Sequence, residues 1–330
     1  MIKPILITGA TGNTGRVVAE RLRERGVPFL AMARSLARER ELAEHGIEAR
    51  SGDFDDLPSM VRALAGIETA YLVCTPDELL IPREVAFIRA AKQAGVRRIV
   101  KCSAYWADLT AETANLRAHG AIESELIHSG LEYTIIRPHG FMQSFTLFSW
   151  GMIEKAGAMS MPAGEGGIPL IDVRDVAEVA VRALLEPGHH GKAYDLTGPD
   201  ILTMYDQAAI LERVLGRPVT YVPGNEAQLL RIMKLLGVPP VPTEHVIKVF
   251  RMQRDHRFET KTSTLRELGI TPITYEQFVH DLIAGKTGGG NSFQPPRTPL
   301  IRAMDAVMPV AMRAYLRIRG REREPERRSA

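Results

Sequence analysis

The sequence predicts an α/β fold in which a doubly wound parallel sheet is followed by a smaller C-terminal α+β subdomain. Three observations predict it. Over the first 140 residues, short apolar runs alternate with amphipathic stretches about every 20 to 30 residues, as in repeated βαβ units. Glycines follow five of these amphipathic stretches, where a left-handed helix C-cap favours glycine. A glycine-rich segment also joins the first apolar run to the first amphipathic stretch.

The elements of the first half follow from these alternating runs. The apolar runs predict strands at Pro4–Thr8, Phe29–Ala33, Glu48–Ser51, Thr69–Val73, Arg98–Cys102 and Tyr133–Arg137. The stretches between them predict helices at Asn13–Arg25, Leu36–His45, Pro58–Leu64, Arg83–Ala94 and Asn115–Ser129. The glycines expected to end these helices are Gly26, Gly46, Gly66, Gly95 and Gly130.

The second half has a less regular rhythm. Residues 138–167 are rich in Phe, Met and Gly, and a strand at Ile168–Ile171 and a helix at Val173–Leu185 are predicted after them. Asp172 and Asp175 are expected to fix the start of that helix. Further elements are predicted at Ala193–Thr197, Met204–Leu215, Val219–Val222, Glu226–Leu236 and Tyr275–Ala284.

Composition excludes several classes of protein. Of 330 residues, 45% are hydrophobic and 25% are charged, which excludes a disordered or collagen-like chain. The net charge is +3, and six Arg with three Glu in residues 317–330 account for it, so the charge gives no indication of nucleic-acid binding. Two cysteines cannot form a disulfide framework, and no signal peptide or membrane span is evident. We therefore expect a cytoplasmic protein.

The glycine-rich segment at 9–16 reads Gly-Ala-Thr-Gly-Asn-Thr-Gly-Arg and opens the first helix. In that context, Gly9 permits the tight turn, Gly12 allows the backbone to approach phosphates, and Gly15 allows close packing of helix on sheet. Backbone N–H groups at a helix N-terminus bind pyrophosphate. The segment therefore predicts a Rossmann dinucleotide site that includes Thr11, Asn13 and Thr14, although a tight turn without a ligand would use the same glycines.

The end of the second strand indicates which dinucleotide binds. An NAD site would place an acid there, on the ribose hydroxyls. This chain has Arg34 and Ser35 instead, and a guanidinium beside a hydroxyl suits a 2′-phosphate. NADP (NADPH) is therefore the predicted cofactor, although Arg34 could also be a solvated residue at the strand end.

The other strand ends supply the remaining predicted contacts, because ligands of open α/β sheets lie outside the carboxyl ends of the strands. The predicted cofactor contacts there are Asp53, Phe54, Cys74, Thr75, Pro76, Ser103 and Pro138. A helix-capping role for Asp53 or Asp55 is the alternative interpretation of that segment.

Together these segments resemble the NmrA-like family of atypical short-chain dehydrogenase/reductases. The matching segments are Gly9–Arg16, Gly52–Phe54, His119–Glu123, Ser129–Pro138, Phe141–Gln143 and Ile171–Ala177, and the resemblance spans roughly residues 1–285. It implies an NAD(P)H-dependent reductase of quinones, imines or iminium ions, azo compounds or triphenylmethane dyes. Because the family also includes dinucleotide-binding regulators, a non-catalytic NADP-sensing protein that acts through a protein partner is the alternative.

The chain lacks the Tyr-x-x-x-Lys pair of typical short-chain dehydrogenases, in which Lys lowers the pKa of Tyr. Tyr133 and Arg137 come closest, but on a strand they lie about 13 Å apart, at roughly 3.3 Å per residue. By resemblance, His119 occupies the position of a Lys in isoflavone-reductase-like relatives and is the candidate catalytic residue. It could equally be a structural histidine, and Glu123 could orient its ring or pair with another helix residue.

Because the chain offers few candidate groups for acid–base catalysis, we expect hydride transfer to acceptors that need little protonation, including enones. Tyr105 and the aromatic-rich segment at Phe141, Met142 and Phe145 are the predicted substrate contacts, although such residues are often core. No metal site is expected, because His189 and His190 are adjacent and lack a third ligand at ordinary spacing.

These predictions divide the chain. Residues 1–140 form a dinucleotide-binding domain to which 168–197 return, 141–285 form mainly a substrate-binding subdomain, 286–299 are a linker, and 300–330 are a basic C-terminal helix and tail. A small molecule is the expected partner. Residues 300–319 present an apolar and a basic helical face, which predicts contact with another subunit or a membrane surface, or packing on the protein's own body.

Overall fold

The computed structural model describes residues 5–235 and 237–286. Seven parallel strands form the main sheet, in the order β3-β2-β1-β4-β5-β6-β8. These are β1 (Ile5–Ile7), β2 (Phe29–Ala33), β3 (Ala49–Ser51), β4 (Thr69–Leu72), β5 (Arg98–Cys102), β6 (Glu132–Pro138) and β8 (Lys192–Leu196), with β7 (Ala158–Met159) and β9 (Thr220–Tyr221) in a second sheet. The strand order reverses between β1 and β4, where ligands bind in doubly wound sheets.

Twelve helices surround these sheets in the described part of the chain. They are α1 (Asn13–Glu24), α2 (Leu36–Glu44), α3 (Leu57–Leu64), α4 (Leu80–Gln93), α5 (Ala114–His128), α6 (Met142–Ala156), α7 (Val173–Leu185), α8 (Met204–Leu215), α9 (Glu226–Leu235), α10 (Pro240–Arg254), α11 (Thr264–Glu267) and α12 (Tyr275–Ile283). Gly26, Gly46, Gly66, Gly95 and Gly130 have φ between +65° and +83°, which confirms the predicted helix ends.

The buried apolar side chains form three cores. One lies between the sheet and α1, α2 and α7, and the second lies on the opposite face under α3, α4 and α5. The third joins α6, α8, α9, α10 and α12 to the small sheet. Because both faces of the main sheet are covered, its carboxyl edge is the part of the sheet that remains for a ligand.

Most predicted elements are confirmed to within three residues, but Ile168–Ile171 is not a strand. Only two isolated bridges occur there, Phe141 with Ile171 and Ile168 with Leu202. Asp172 then accepts a hydrogen bond from the Arg174 N–H (2.8 Å) and begins α7, as expected. Ile168 exchanges hydrogen bonds with Leu202, whereas Ile171 bonds to Gly140 and Met142, so the segment pairs with two different neighbours and continues a ladder with neither.

Two long helices were not predicted. α6 buries the polar side chains of Gln143, Thr146 and Ser149, so its buried face does not show in the sequence as an apolar stripe of helical period. α10 has prolines in its first turn, which resemble a loop in sequence, although the first helical turn tolerates proline because its N–H groups lack helical acceptors.

The predicted tail segments lie almost wholly outside the described residues. The linker at 286–299 is described only at Lys286, and the helix and tail at 300–330 are not described. In residues 5–235 and 237–286, no helix combines the length and apolarity needed to cross a membrane.

Candidate active site

The glycine-rich loop lies between β1 and α1, at the point where the strand order reverses. Gly9 has φ +61°, and a Cβ on it would lie 2.7 Å from Val73 Cγ1. A Cβ on Gly12 would lie 3.2 Å from the Gly9 carbonyl oxygen, and one on Gly15 only 2.3 Å from it. The three predicted glycines therefore come together in one turn that admits no side chain at Gly9 or Gly15.

The loop also provides hydrogen-bond donors. α1 begins after Gly12, which supplies no side-chain cap, and its first turn carries no acid. The N–H groups of that turn are therefore available to an anion, and the helix dipole favours one there. Thr11 and Asn13 are half-buried and Thr14 is buried. This cradle fits the pyrophosphate of NADP(H).

Thr8, which sequence reasoning missed, fixes the base of this cradle. Its buried hydroxyl oxygen lies 2.9 Å from the Val73 carbonyl oxygen and accepts a hydrogen bond from the Val73 N–H at 2.8 Å. These bonds hold the ends of β1 and β4 together where their ladder stops. The sequence signal that could have identified this residue is a threonine at the last position before the glycine-rich loop.

The residues predicted to contact the adenosine end of the cofactor lie at the ends of β2 and β3. Arg34 is exposed, and the Ser35 hydroxyl oxygen caps α2 by accepting from the Arg38 N–H at 3.4 Å. The Arg83 hydrogen bond holds the pKa of Asp55 below its usual value, and the nearby Arg34 lowers it further. A 2′-phosphate contact by Arg34 stays a prediction, and the structure shows that its guanidinium is exposed and that the Asp55 carboxylate is already bound by Arg83.

Arg83 is a second residue that sequence reasoning missed. It donates two hydrogen bonds to Asp55, each 2.8 Å long, and one to Asp77 at 2.8 Å. Planar guanidinium groups favour such paired contacts. Arg83 therefore joins the loops that follow β3 and β4, which flank the adenosine half of the predicted site.

The alternative role for Asp53 or Asp55 requires a correction. The N-cap of α3 is Asp56, whose side chain accepts from the Ser59 N–H at 3.3 Å. Asp53 instead accepts from the Asp55 N–H at 3.0 Å and stays half-buried beside Phe54. Neither predicted capping residue begins the helix, because Asp55 is engaged by Arg83.

Beyond β4, the predicted contacts are more accessible. Cys74 is half-buried, and Thr75 and Pro76 are exposed. Burial raises the pKa of the Cys74 thiol to about 12, so it is not a thiolate near neutral pH. These residues can border a ribose but supply no charge to it.

Ser103 lies at the end of β5, and its hydroxyl is already bonded. It donates to Glu123 at 2.5 Å, and the same carboxylate pairs with Arg137 on β6 at 2.5 Å. The expectation that Glu123 orients His119 or pairs within its helix is therefore wrong, because the partner comes from the neighbouring strand. Ser103 contributes to the site chiefly by holding the ends of β5 and α5 together.

His119 faces a buried ion pair. Lys101 Nζ lies 2.5 Å from Glu84 Oε2, 3.0 Å from the Cys102 carbonyl oxygen and 3.4 Å from His119 Nδ1. Burial lowers the pKa of His119 well below its usual value, and the Lys101 ammonium lowers it further. A neutral ring is therefore present near pH 7, and its only remaining donor is Nε2–H. The catalytic role of His119 stays a prediction, but a protonated imidazolium is disfavoured.

The aromatic segment after β6 lies partly in the core. Met142 is 2% exposed and lies in the third core, the C-terminal core that joins α6, α8, α9, α10 and α12, so its side chain offers no surface to a substrate. Phe145 packs edge-on against Phe250, with ring centroids 5.7 Å apart. Phe141 is half-buried against the core next to α7. Tyr105 lies at the sheet edge, where its N–H donates to the Pro138 carbonyl at the end of β6 at 2.9 Å.

Tyr105 belongs to a closed ring of four side chains, which we call the aromatic quartet. Ring centroids are 5.8 Å apart for Tyr105 and Trp106, 5.2 Å for Trp106 and Phe258, 4.8 Å for Phe258 and His139, and 5.2 Å for His139 and Tyr105. These side chains come from three segments of the chain, after β5, β6 and α10. Of these four residues, only Tyr105 was predicted as a substrate contact, and Phe258 was missed because the segment after α10 had no predicted element.

Two of the surface depressions in the described part of the chain lie apart from the glycine-rich loop. One of about 470 Å³ lies between α3, α4 and α5, and one of about 220 Å³ lies beside Lys261 and Thr262. Neither is lined by the glycine-rich loop. Volume alone would favour the first, but the glycine cradle, Arg34 and the strand ends indicate the carboxyl edge beside that loop as the candidate site.

Comparison with known proteins identifies similar chains. An NAD(P)H azoreductase from Xenophilus azovorans is 37% identical over 237 residues, which cover 71% of this chain and 82% of that protein. The structure of an NADPH-dependent quinone oxidoreductase from Escherichia coli, complexed with NADPH, superimposes with a TM-score of 0.75 at 31% identity, covering 84% of this chain and 99% of the other.

A triphenylmethane reductase from Citrobacter sp., complexed with NADP(H), superimposes with a TM-score of 0.74 at 25% identity, covering 83% of this chain and 98% of the other. The sequence model of the NmrA-like family matches residues 1–278, the entire β1–α12 region apart from its last helical turns. The chain belongs to the NmrA-like family.

Proposed function

We propose that the protein is an NADPH-dependent reductase of small conjugated acceptors, with quinones and azo compounds as the first substrates to test. The observation that carries the proposal is the cradle at Gly9, Gly12 and Gly15 with the exposed Arg34 at the next strand end. NADPH supplies the hydride when bound. The azoreductase and quinone oxidoreductase relatives support this reaction class.

Different residues of the proposed site bind different parts of the cofactor and the acceptor. The first-turn N–H groups of α1 hold the pyrophosphate, and Arg34 holds the 2′-phosphate. The ends of β4, β5 and β6 border the nicotinamide half, and the aromatic quartet contacts the acceptor. Ser103 is held by Glu123 and the imidazole of His119 by Lys101, so these groups are poorly placed to protonate a substrate. Quinones and azo compounds suit this site because they are acceptors that need little protonation.

We also propose the domain division at residue 140, with 168–197 returning to the dinucleotide domain. The separate core of α6, α8, α9, α10 and α12 supports a substrate-binding unit in residues 141–285. Cys74 and Cys102 are free thiols, which supports a reducing, cytoplasmic location. Contact of residues 300–319 with another subunit or a membrane surface remains a prediction from the sequence.

Steady-state turnover tests the reductase. Purified protein is mixed with NADPH or NADH and a panel of 2-methyl-1,4-naphthoquinone, an azo dye and an enone, and nicotinamide absorbance is followed. We expect turnover of at least one acceptor, with a lower KM for NADPH than for NADH. Tight NADPH binding without turnover of any acceptor would instead support the NADP-sensing regulator.

Arg34→Ala tests the assignment of the cofactor. Loss of a charge-assisted contact to the 2′-phosphate is expected to raise the KM for NADPH about 10- to 100-fold and to leave the KM for NADH almost unchanged. Arg38→Ala is the matched control, because Arg38 is one turn away and pairs with Glu41. Equal effects of Arg34→Ala on both cofactors would contradict the assignment.

A further inference from the structure

Within the aromatic quartet, the ring of His139 carries a hydrogen-bond donor whose direction is fixed by a bond on its other nitrogen. His139 follows the last residue of β6, and its own N–H donates to the Leu196 carbonyl at 2.9 Å. The Gly140 N–H donates to His139 Nδ1 at 2.7 Å. Because Nδ1 accepts this bond, the ring proton lies on Nε2. Within the described part of the chain, no hydrogen bond uses Nε2.

The environment of His139 keeps this donor neutral. The ring is 7% exposed, between Tyr105 and Phe258, and burial lowers its pKa to about 3. No charged group contributes to that shift. The ring is therefore a neutral imidazole near pH 7, and a hydrogen bond in such a water-poor setting is stronger than one in water.

The backbone on both sides of the quartet is strained. Among the described residues, Trp106 and His256 are the non-glycine residues with positive φ, at 63° and 56°. Trp106 belongs to the quartet, and His256 lies two residues before Phe258. Left-handed backbone is unfavourable for a bulky side chain, and such strain concentrates at functional sites. The strain is thus located in the two segments that close on His139.

The position of His139 along the sheet suits the reacting end of the cofactor. Three strand spacings separate β1 from β6, about 14 Å at roughly 4.8 Å each. A dinucleotide whose pyrophosphate lies on the β1–α1 loop extends its nicotinamide half in that direction, across the ends of β4 and β5. Tyr105 and Pro138 meet beside this path through their backbone bond.

We propose that His139 is a catalytic residue whose Nε2–H donates a hydrogen bond to the acceptor oxygen during quinone reduction. This inference rests on the proposed reductase function. When the reduced nicotinamide gives a hydride to the quinone, an electron pair moves onto a carbonyl oxygen and produces a hydroquinone monoanion. The Nε2–H stabilises that oxygen, and water supplies the proton that completes the hydroquinone. His139 keeps its own proton.

Binding of two probes tests this role independently of turnover. The enolate of 2-hydroxy-1,4-naphthoquinone mimics the anion, and 2-methyl-1,4-naphthoquinone is its neutral counterpart. Both are titrated into the NADP⁺-loaded protein. Trp106 lies in the quartet and reports binding by fluorescence, and Trp150→Phe removes the other tryptophan of the sequence.

Two substitutions separate donation from packing. In His139→Asn, the side-chain oxygen can still accept from the Gly140 N–H, but the outer donor is lost. In His139→Gln, the amide N–H replaces the outer donor. We expect the Asn variant to bind the enolate about 10- to 100-fold more weakly and the neutral quinone within about threefold of the parent, with Gln restoring most of the difference.

Two outcomes would overturn the proposal. One is an Asn variant that binds the enolate as tightly as the parent, and the other is equal weakening of both probes, which indicates a packing role. Should the Asn variant fail to fold, a Gln variant with selectively weakened enolate binding would also count against it. A parent that reduces quinones while the Asn variant is unaffected contradicts only the role of His139. A parent that binds NADPH but reduces no acceptor contradicts the proposed function itself.

Discussion

The buried ion pair between Glu84 and Lys101 lies next to His119, and its contribution to the free energy of unfolding can be tested directly. Both side chains are 0% exposed, and their charged atoms lie 2.5 Å apart. Lys101→Met removes the ammonium and leaves the Glu84 carboxylate without its counter-ion. Desolvation already raises the pKa of Glu84, and the Lys101 charge opposes that rise. Without Lys101, we expect the pKa of Glu84 to rise further.

The magnitude follows from complete burial. Removal of one partner from a buried ion pair costs about 3–5 kcal/mol, because the other charge stays desolvated. A carboxyl whose pKa is raised by folding is favoured in its protonated form. Its penalty is therefore absent below its usual pKa of 4.5 and grows as the pH rises towards the folded-state value. We expect Lys101→Met to destabilise the fold more at pH 8 than at pH 5.

Urea unfolding of the parent, Lys101→Met and the double variant Glu84→Leu/Lys101→Met measures these free energies at both pH values. The double variant should be more stable than Lys101→Met, since an apolar pair carries no desolvation cost. A single-variant loss below about 1 kcal/mol, or a loss equal at both pH values, would refute the reasoning.

Two further predictions concern the loop and the pH dependence. Gly15→Ala should weaken NADPH binding at least about tenfold by fluorescence titration, because its Cβ would lie 2.3 Å from the Gly9 carbonyl oxygen. Gly26→Ala, whose Cβ would meet no atom within 4 Å but whose φ of +65° strains the backbone away from the loop, controls for general destabilisation, and equal NADPH affinities of Gly15→Ala and the parent would contradict the cradle. Burial raises the pKa of Asp175 to about 7, although the hydrogen bond from the Ile273 N–H opposes this shift. The folded protein therefore favours the protonated carboxyl, and the stability that this form contributes is present below about pH 4 and lost as the pH rises through 7. Asp175→Asn should flatten this part of the stability–pH profile measured by urea unfolding, and an unchanged profile would assign it to another group.

The determinants of the predicted dinucleotide half of the site are local in the sequence. The glycine-rich loop follows its strand directly, and Arg34 comes one residue after the second strand. The five helix-ending glycines needed only local backbone geometry. Asp172 at the start of α7 was equally predictable, because a cap bonds to an N–H two residues away.

The acceptor half was not predictable in the same way. Glu123 lies one helical turn from His119 in sequence, yet its partners are Arg137 and Ser103, which other strands bring to it. Met142 resembled a pocket residue and lies in the core instead. Such choices depend on which faces the tertiary packing buries.

By itself, the sequence determined the strands and helices of the first half and the glycine-rich turn, because short-range backbone geometry dictates them, and local charge indicated the cofactor. The tertiary structure decided which side chains meet across the carboxyl edge. His139, Tyr105, Trp106 and Phe258 come from segments up to 153 residues apart. Neither periodicity nor spacing encodes such a meeting, because it depends on how the C-terminal core packs against the sheet.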